Sequence, residues 1–496
     1  MPPLRSARRF ARPPLNGARV RRRTRVRERE TRVGAPKHRI LSPSLRARRT
    51  PPRHTCKEMQ FSRVMAFKPA SLEPSRVEDT MLRPLLQLLL LCLLLLALLQ
   101  AGLQAAGNRT SRFIFGPITK TSKDLLDMWG YPYEQHRVLT EDGYVLTVDR
   151  IPNPGRPPVY LATPYLGAAP IFLTLGRDHA LGGYLGTSGT GNEDQGLSRF
   201  RLYDAGYDVW MSNVRGSIYS PDHIRLTTDD PEYWKFSFHE HALYDHPACI
   251  DMILAKTVYR QLLYIGYSMG SLSLLIMASL KPEYGRKVAA AFLMAPSTTQ
   301  YYNDGNFISL LNAVTNSTEP VTERLQVVQL PIGLIRQFSQ ITCRGEARWI
   351  CNRLWLWLTN NPKAEDYIGN SYYFHETFPG SGSLRTTWHI AQLAWGEGSF
   401  RPYVYSSREK NLRRYGVPVP PKYPIERVTI PIFTYTGDSD KLVAEGDYRF
   451  MQRSVRSIVR RWRHPDPLFS HADFTFSRGA LLVYRQMIKD MDGWLQ

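Results

Sequence analysis

Cysteine is scarce: five residues in 496. That is too few for a disulfide-built scaffold, so the fold must rest on an apolar core. No apolar run reaches the roughly 20 residues of a membrane-spanning helix; the longest, at 85–99, is almost pure leucine and stops short. Acidic residues are outnumbered by basic ones, 43 against 65, for a formal net charge of +22. The excess is local, since residues 1–80 hold 22 Lys and Arg against 6 Asp and Glu and leave only +6 for the rest. A nucleic-acid-binding reading of the whole chain is therefore set aside. Internal repeats are lacking. His239, His241 and His246 have no supporting cysteine or glutamate at zinc-site spacing, so no metal and no cofactor is expected.

Residues 1–80 are rich in Arg, Pro and Ser without apolar periodicity, and cannot bury enough surface to offset ordering entropy. They are expected to be disordered, as a basic cytoplasmic tail, as an RNA-binding or nuclear-targeting arm, or as an extension ahead of a start at Met65 or Met81. Residues 81–107 follow with a positive flank (Arg83), the leucine run and small residues at Ala105-Ala106-Gly107. This is a secretory signal layout, cut before Asn108, or a signal anchor if the chain begins at Met1. Either way the remainder enters the secretory lumen, to be secreted, delivered to the lysosome or held at a membrane. Asn108-Arg109-Thr110 and Asn316-Ser317-Thr318 are glycosylation acceptors. Cys343 and Cys351 lie in a segment of separate character, where an oxidising lumen favours a disulfide over two free thiols. Cys249 reads as core.

From 108 to 297 strand and helix patterns alternate. Alternating runs flank Glu141-Asp142-Gly143, a hairpin signal. Short apolar runs at 170–175 and 207–212 read as strands with a helix over 197–205 between them. A helical span at 238–256 leads into the apolar run Leu262-Leu263-Tyr264-Ile265, and 289–296 makes another buried strand. This order implies a mostly parallel sheet covered on both faces, an α/β fold. From 298 to 424 the rhythm gives way to dense aromatics such as Trp349, Trp355 and Trp388, which suggests an inserted, mainly helical cap. The sheet pattern resumes over 425–496, with a strand at 428–435, helices at 447–457 and 481–488, and a last strand at 458–462.

Gly266-Tyr267-Ser268-Met269-Gly270 matches G-x-S-x-G, in which strand and helix pass so close to a strained serine turn that only glycine fits on either side. About 0.15 such matches arise by chance in a chain this long, so the context carries the weight: an apolar strand precedes and a helix with Leu272, Leu275 and Ile276 follows. A serine nucleophile needs a base and the base an orienting acid, in the chain order Ser, acid, His. Asp438 and Asp440 both follow the strand ending near Tyr435. His471 follows the last strand, while His464, in a polar turn, reads as exposed.

These residues stand among others that resemble the acid lipases, the gastric and lysosomal lipase group, from about 123 to 488. They include Trp129-Gly130-Tyr131-Pro132, Thr140-Glu141-Asp142-Gly143-Tyr144-Val145-Leu146, the run Asp204-Ala205-Gly206-Tyr207-Asp208-Val209-Trp210, the run Ser212-Asn213-Val214-Arg215-Gly216, Tyr244-Asp245-His246-Pro247-Ala248 and His471-Ala472-Asp473-Phe474. The resemblance implies an α/β-hydrolase core with a cap inserted before the acid, and hydrolysis of neutral lipid esters at a lipid–water interface. It implies Ser268 as nucleophile, Asp440 as acid through Gly437-Asp438-Ser439-Asp440-Lys441-Leu442, and His471 as base. Oxyanion donors would be the backbone N–H groups of Met269 and Arg177, and Cys343 and Cys351 would form the family's disulfide. The family's His-Gly-Leu is matched here to Leu175-Gly176-Arg177, and its Gly-His-Ser-Gln-Gly reads Gly-Tyr-Ser-Met-Gly. Those departures motivate the alternative of a catalytically impaired lipid-binding or carrier protein. Nothing in the sequence fixes the oligomeric state.

Overall fold

The computed structural model describes residues 120–176, 180–181, 202–313, 315, 330, 356–361, 377–380 and 382–496. Helix α1 (Ser122–Trp129) starts where Thr121 and Asp124 form a reciprocal capping box, and ends at Gly130 with φ 80°. The expected hairpin follows as β1 (Glu134–Leu139) and β2 (Tyr144–Ile151), turning on Gly143 at φ +100°.

The remaining strands are β3 (Pro158–Ala162), β4 (Asp208–Asn213), β5 (Asp222–His223), β6 (Leu262–Tyr267), β7 (Val288–Met294), β8 (Ile432–Thr436) and β9 (Ile458–Arg463). They form one sheet in the order β1-β2-β4-β3-β6-β7-β8-β9, with β5 on β2. The β1–β2, β2–β4 and β2–β5 pairs are antiparallel, and every pair from β4 through β9 is parallel. Helices α2 (His246–Lys256), α3 (Met269–Leu280), α4 (Leu384–Gln392), α5 (Arg408–Tyr415), α6 (Glu445–Ser454) and α7 (Ala480–Leu495) connect or cover it.

Parallel strands buried on both faces must be apolar on both, and the side chains of β3 and β6 sort by alternation into two cores. Val159, Leu161, Leu263 and Ile265 pack with Leu125 of α1 and Val483 and Met487 of α7. Tyr160, Ala162, Leu262 and Tyr264 pack on the other face with Ile250 of α2, Leu272 of α3 and Met451 of α6.

Three expectations need correction or refinement. The run at 170–175 is a 3-10 turn, Ala169–Leu173, not a strand. Pro170 favours a first helical turn, and the strand beside β6 is the earlier Pro158–Ala162. Of the helix expected over 197–205, residues 202–205 form turns closed by Gly206 at φ +90°, and 197–201 lie outside the described residues. The helical span at 238–256 is present but contains a wide turn, His241–Asp245. Pro247 has no N–H to return to residue 243, which relaxes the helix there. Segments 1–80 and 81–107, with Asn108, Asn316, Cys343 and Cys351, lie outside the described residues.

Strands β7 and β8 are direct neighbours, although residues 295–431 separate them in the chain. Within that insertion, Ser383 caps α4 and donates its hydroxyl to the Trp234 and Phe236 carbonyls, at 2.8 and 2.9 Å. At the exit from β7, the buried Asp447 of α6 accepts the Thr299 hydroxyl at 2.5 Å and the Tyr302 N–H at 3.3 Å through Oδ1. Its Oδ2 is buried without a hydrogen-bond partner among the described residues. Burial pushes this carboxyl up to about 6.

At the exit from β4, the fully buried Arg215 bonds Asp245 through its backbone N–H and Nε, at 2.9 and 2.7 Å. Its Nη atoms bond Asp142 of the hairpin turn at 2.5 and 2.8 Å, and the guanidinium lies 4.0 Å from the Tyr144 ring centroid. One cation thus joins the hairpin, the sheet and the wide turn His241–Asp245 that leads into α2, with both carboxylates oriented on it.

Candidate active site

Strand β6 is buried along its whole length and delivers the chain to Ser268, which has φ 52° and ψ −109° before α3 begins at Met269. A non-glycine residue there is strained and persists because its surroundings leave it no alternative. A Cβ on Gly270 would lie 2.3 Å from the Ala162 carbonyl oxygen, and one on Gly266 2.9 Å from Ser271 N. Both glycines are therefore steric requirements, as the sequence argument held.

Three side chains meet at this turn. His471 Nε2 lies 3.0 Å from Ser268 Oγ, and His471 Nδ1 lies 3.1 and 3.0 Å from the two Asp440 oxygens. Asp440 Oδ1 also accepts the Leu442 and Val443 N–H groups, both at 2.9 Å, which fixes the carboxylate. A carboxylate so arranged only accepts, so Nδ1 carries the proton and the lone pair of Nε2 faces the Ser268 hydroxyl. Asp438 is half-exposed and faces Arg463 at 3.3 Å, so of the two carboxylates left open by the sequence, Asp440 is the one that reaches His471.

The acid and histidine loops are stitched together: Ser439 N–H and hydroxyl donate to the Phe469 and Pro467 carbonyls at 3.2 and 2.9 Å. Asp473, two residues beyond the histidine, accepts Ser470 N–H at 2.6 Å and Asn361 Nδ2 at 3.1 Å. The sequence reading missed this brace, although its position in His471-Ala472-Asp473 was a signal. His464 is buried, contrary to its expected exposure, because it stacks 3.8 Å from Phe469 and accepts Asp466 N–H at 3.1 Å. His239 pairs with the Tyr423 hydroxyl and His246 with that of Tyr160, at 2.8 and 2.9 Å. Burial pushes His241 and His246 down to about 3, so they are neutral core side chains. Cys249 is a free buried thiol that burial pushes up to about 12.

Ser268 and His471 open into an apolar cavity of about 130 Å³, walled by Tyr165, Ile171, Leu272 and Phe476 from the core and by Phe307 and Ile390 from the insertion. Leu166 and Met269 line it as well. Leu166 sits at φ 59° in the turn after β3, and Met269 is the first residue of α3, where helix N–H groups have no internal acceptor. Arg177 lies outside the described residues. Leu175, just before it, is packed in the core and does not line the cavity.

The chain matches the family profile described as alpha/beta hydrolase fold over residues 196–466, and the one described as partial alpha/beta-hydrolase lipase region over 122–173. It is 29% identical over 383 residues to lipase 1 of Drosophila melanogaster, covering 74% of this chain and 78% of that protein. It is 28% identical over 387 residues to the gastric triacylglycerol lipase of Bos taurus, covering 74% and 90%. With the tear acid lipase-like protein of Mesocricetus auratus the identity is 30% over 379 residues, covering 75% and 90%. Similarity sustained from the first helix to the last strands makes this chain a member of the acid lipase family, within the α/β-hydrolase fold.

Proposed function

We propose that the protein is a lumenal or secreted lipase that hydrolyses neutral lipid esters, triacylglycerols or steryl esters, through an acyl-enzyme. The observation that carries this reading is the unbroken series Ser268 Oγ, His471 Nε2, His471 Nδ1, Asp440, each step within 3.1 Å, at the wall of an apolar cavity. The names of the relatives support the ester class. Ser268 attacks the ester carbonyl as His471 takes its proton, and Asp440 holds the imidazole and stabilises its cation. His471 returns the proton to the leaving alcohol, and water repeats the sequence on the acyl-enzyme. The apolar walls receive an acyl chain, and residues 298–424 act as the cap over it.

The oxyanion needs two N–H donors that no other group consumes. Met269 is retained as one. For the second we favour Leu166 over Arg177: β3, not the run at 170–175, is the strand beside β6, and the turn after it lines the cavity. Neither the Leu166 nor the Met269 N–H has a hydrogen-bond acceptor among the described residues.

A fluorophosphonate probe should label the wild type and not Ser268→Ala, and a panel of triglycerides and steryl esters defines the alcohol preference. Asp440→Asn should keep the fold and lower kcat by on the order of 10⁴, because the imidazole loses its oriented tautomer. Absence of Ser268-dependent labelling would leave a lipid-binding protein without this chemistry.

A further inference from the structure

Tyr267 occupies the position immediately before the nucleophile, at the end of β6. Its hydroxyl donates to the buried backbone carbonyl of His471 at 2.9 Å. Its ring stacks against the imidazole, with centroids 5.5 Å apart and planes 29° apart. The side chain is 3% exposed and its far edge meets Phe474 at 6.1 Å between centroids. Burial pushes the phenol well above its ordinary range, so it keeps its proton and donates at every working pH.

The imidazole itself is held from two sides, by Asp440 at Nδ1 and by Ser268 at Nε2. Neither contact fixes the backbone that carries the ring. That backbone belongs to a loop after β9, which is separated from β6 in the sheet by the two strands β7 and β8. Tyr267 reaches across this distance from the residue adjacent to Ser268 and pins the loop directly.

We infer that Tyr267 is a positioning residue, which sets the separation of Ser268 and His471 by tying the His471 backbone to the nucleophile's own strand and bracing the imidazole with its ring. The kinetic part of this inference rests on the ester-hydrolase reading; the geometric part does not. Phenylalanine at 267 keeps the ring and removes the hydroxyl with its bond to the carbonyl, leaving a buried acceptor without its donor. A misplacement of about 1 Å in a reacting pair can cost on the order of 10²-fold in rate, and a loosened loop retains part of the correct geometry.

The test compares wild type with Tyr267→Phe, each normalised to the molecules that a fluorophosphonate labels, so that misfolded protein is not counted. The expected result is a kcat about tenfold lower with KM within about twofold, and a labelling rate lower by the same factor as kcat. Proton NMR supplies a readout independent of turnover: the downfield resonance of the His471 Nδ1 proton should shift or broaden in the variant. Rates within twofold of wild type, with that resonance unchanged, would overturn the inference. If wild type shows no Ser268-dependent labelling, the ester-hydrolase reading fails instead, and the resonance alone decides: unchanged in Tyr267→Phe, it refutes the tie.

Discussion

Asp447 makes the fold's stability depend on pH in a calculable way. Its carboxyl is 1% exposed, accepts the Thr299 hydroxyl and the Tyr302 N–H through one oxygen, and buries the other oxygen without a donor among the described residues. Burial therefore disfavours the anion and pushes the group from 3.8 up to about 6. A folded-state value raised above the unfolded one means that the native state binds the proton more tightly. The associated stability is fully present below 3.8 and is lost as the pH rises through about 6. At 1.36 kcal/mol per unit, the native state loses about 3 kcal/mol across that window.

Asparagine at 447 is neutral at all pH and keeps the carbonyl that Thr299 and Tyr302 address, so it removes the titration and little else. Urea unfolding of wild type and Asp447→Asn between pH 3.5 and 7.5 isolates the effect, because all other titrating groups cancel in the difference. The variant should gain about 3 kcal/mol relative to wild type from the acid end to the neutral end. Most of the gain should fall between pH 4 and 6.5. A difference that stays flat with pH would refute the reasoning. Since Thr299 and Tyr302 flank Gln300 on the cavity wall, the same titration should loosen the wall near neutral pH.

Two further substitutions follow from the packing. Gly270→Ala sets a Cβ 2.3 Å from the Ala162 carbonyl oxygen. Strand β3 or the nucleophile turn must move, at about 1–3 kcal/mol in stability, and kcat should fall on the order of 10²-fold, read by urea unfolding and ester turnover. Arg215→Met leaves Asp245 buried and unpaired and should cost about 3–5 kcal/mol. Arg215→Met combined with Asp245→Leu should recover part of that loss in the same unfolding assay, whereas two additive losses would count against the pairing.

The parts of the fold legible in the sequence were those where a single local force decides. The hairpin at Asp142-Gly143 and the strand–serine–helix turn at 266–270 each depend on glycines with a steric reason to be there, and both stand where expected. Apolar runs were less reliable. Pro158–Ala162, short and bounded by prolines, carries the central strand, while the more apolar run at 170–175 coils into a 3-10 turn. Period alone cannot separate a buried strand from a buried turn. The strand beside β6 therefore lies earlier in the chain than the run at 170–175 suggested. The long-range contact of Tyr267 with the His471 carbonyl had no sequence signal, because it depends on which loops the sheet brings together.

The adjacency of β7 and β8 across residues 295–431 also orders events during synthesis. At about 5–20 residues per second, on the order of 10 s passes after β7 leaves the ribosome before β8 can pair with it. For that interval β7 offers an unpaired apolar edge, a template for pairing with other chains, so a holdase that covers it should raise the yield of native protein. Asp440 and His471 are made later still. The growing chain thus carries Ser268 for the whole interval before Asp440 and His471, the side chains it meets in the folded protein, have been made.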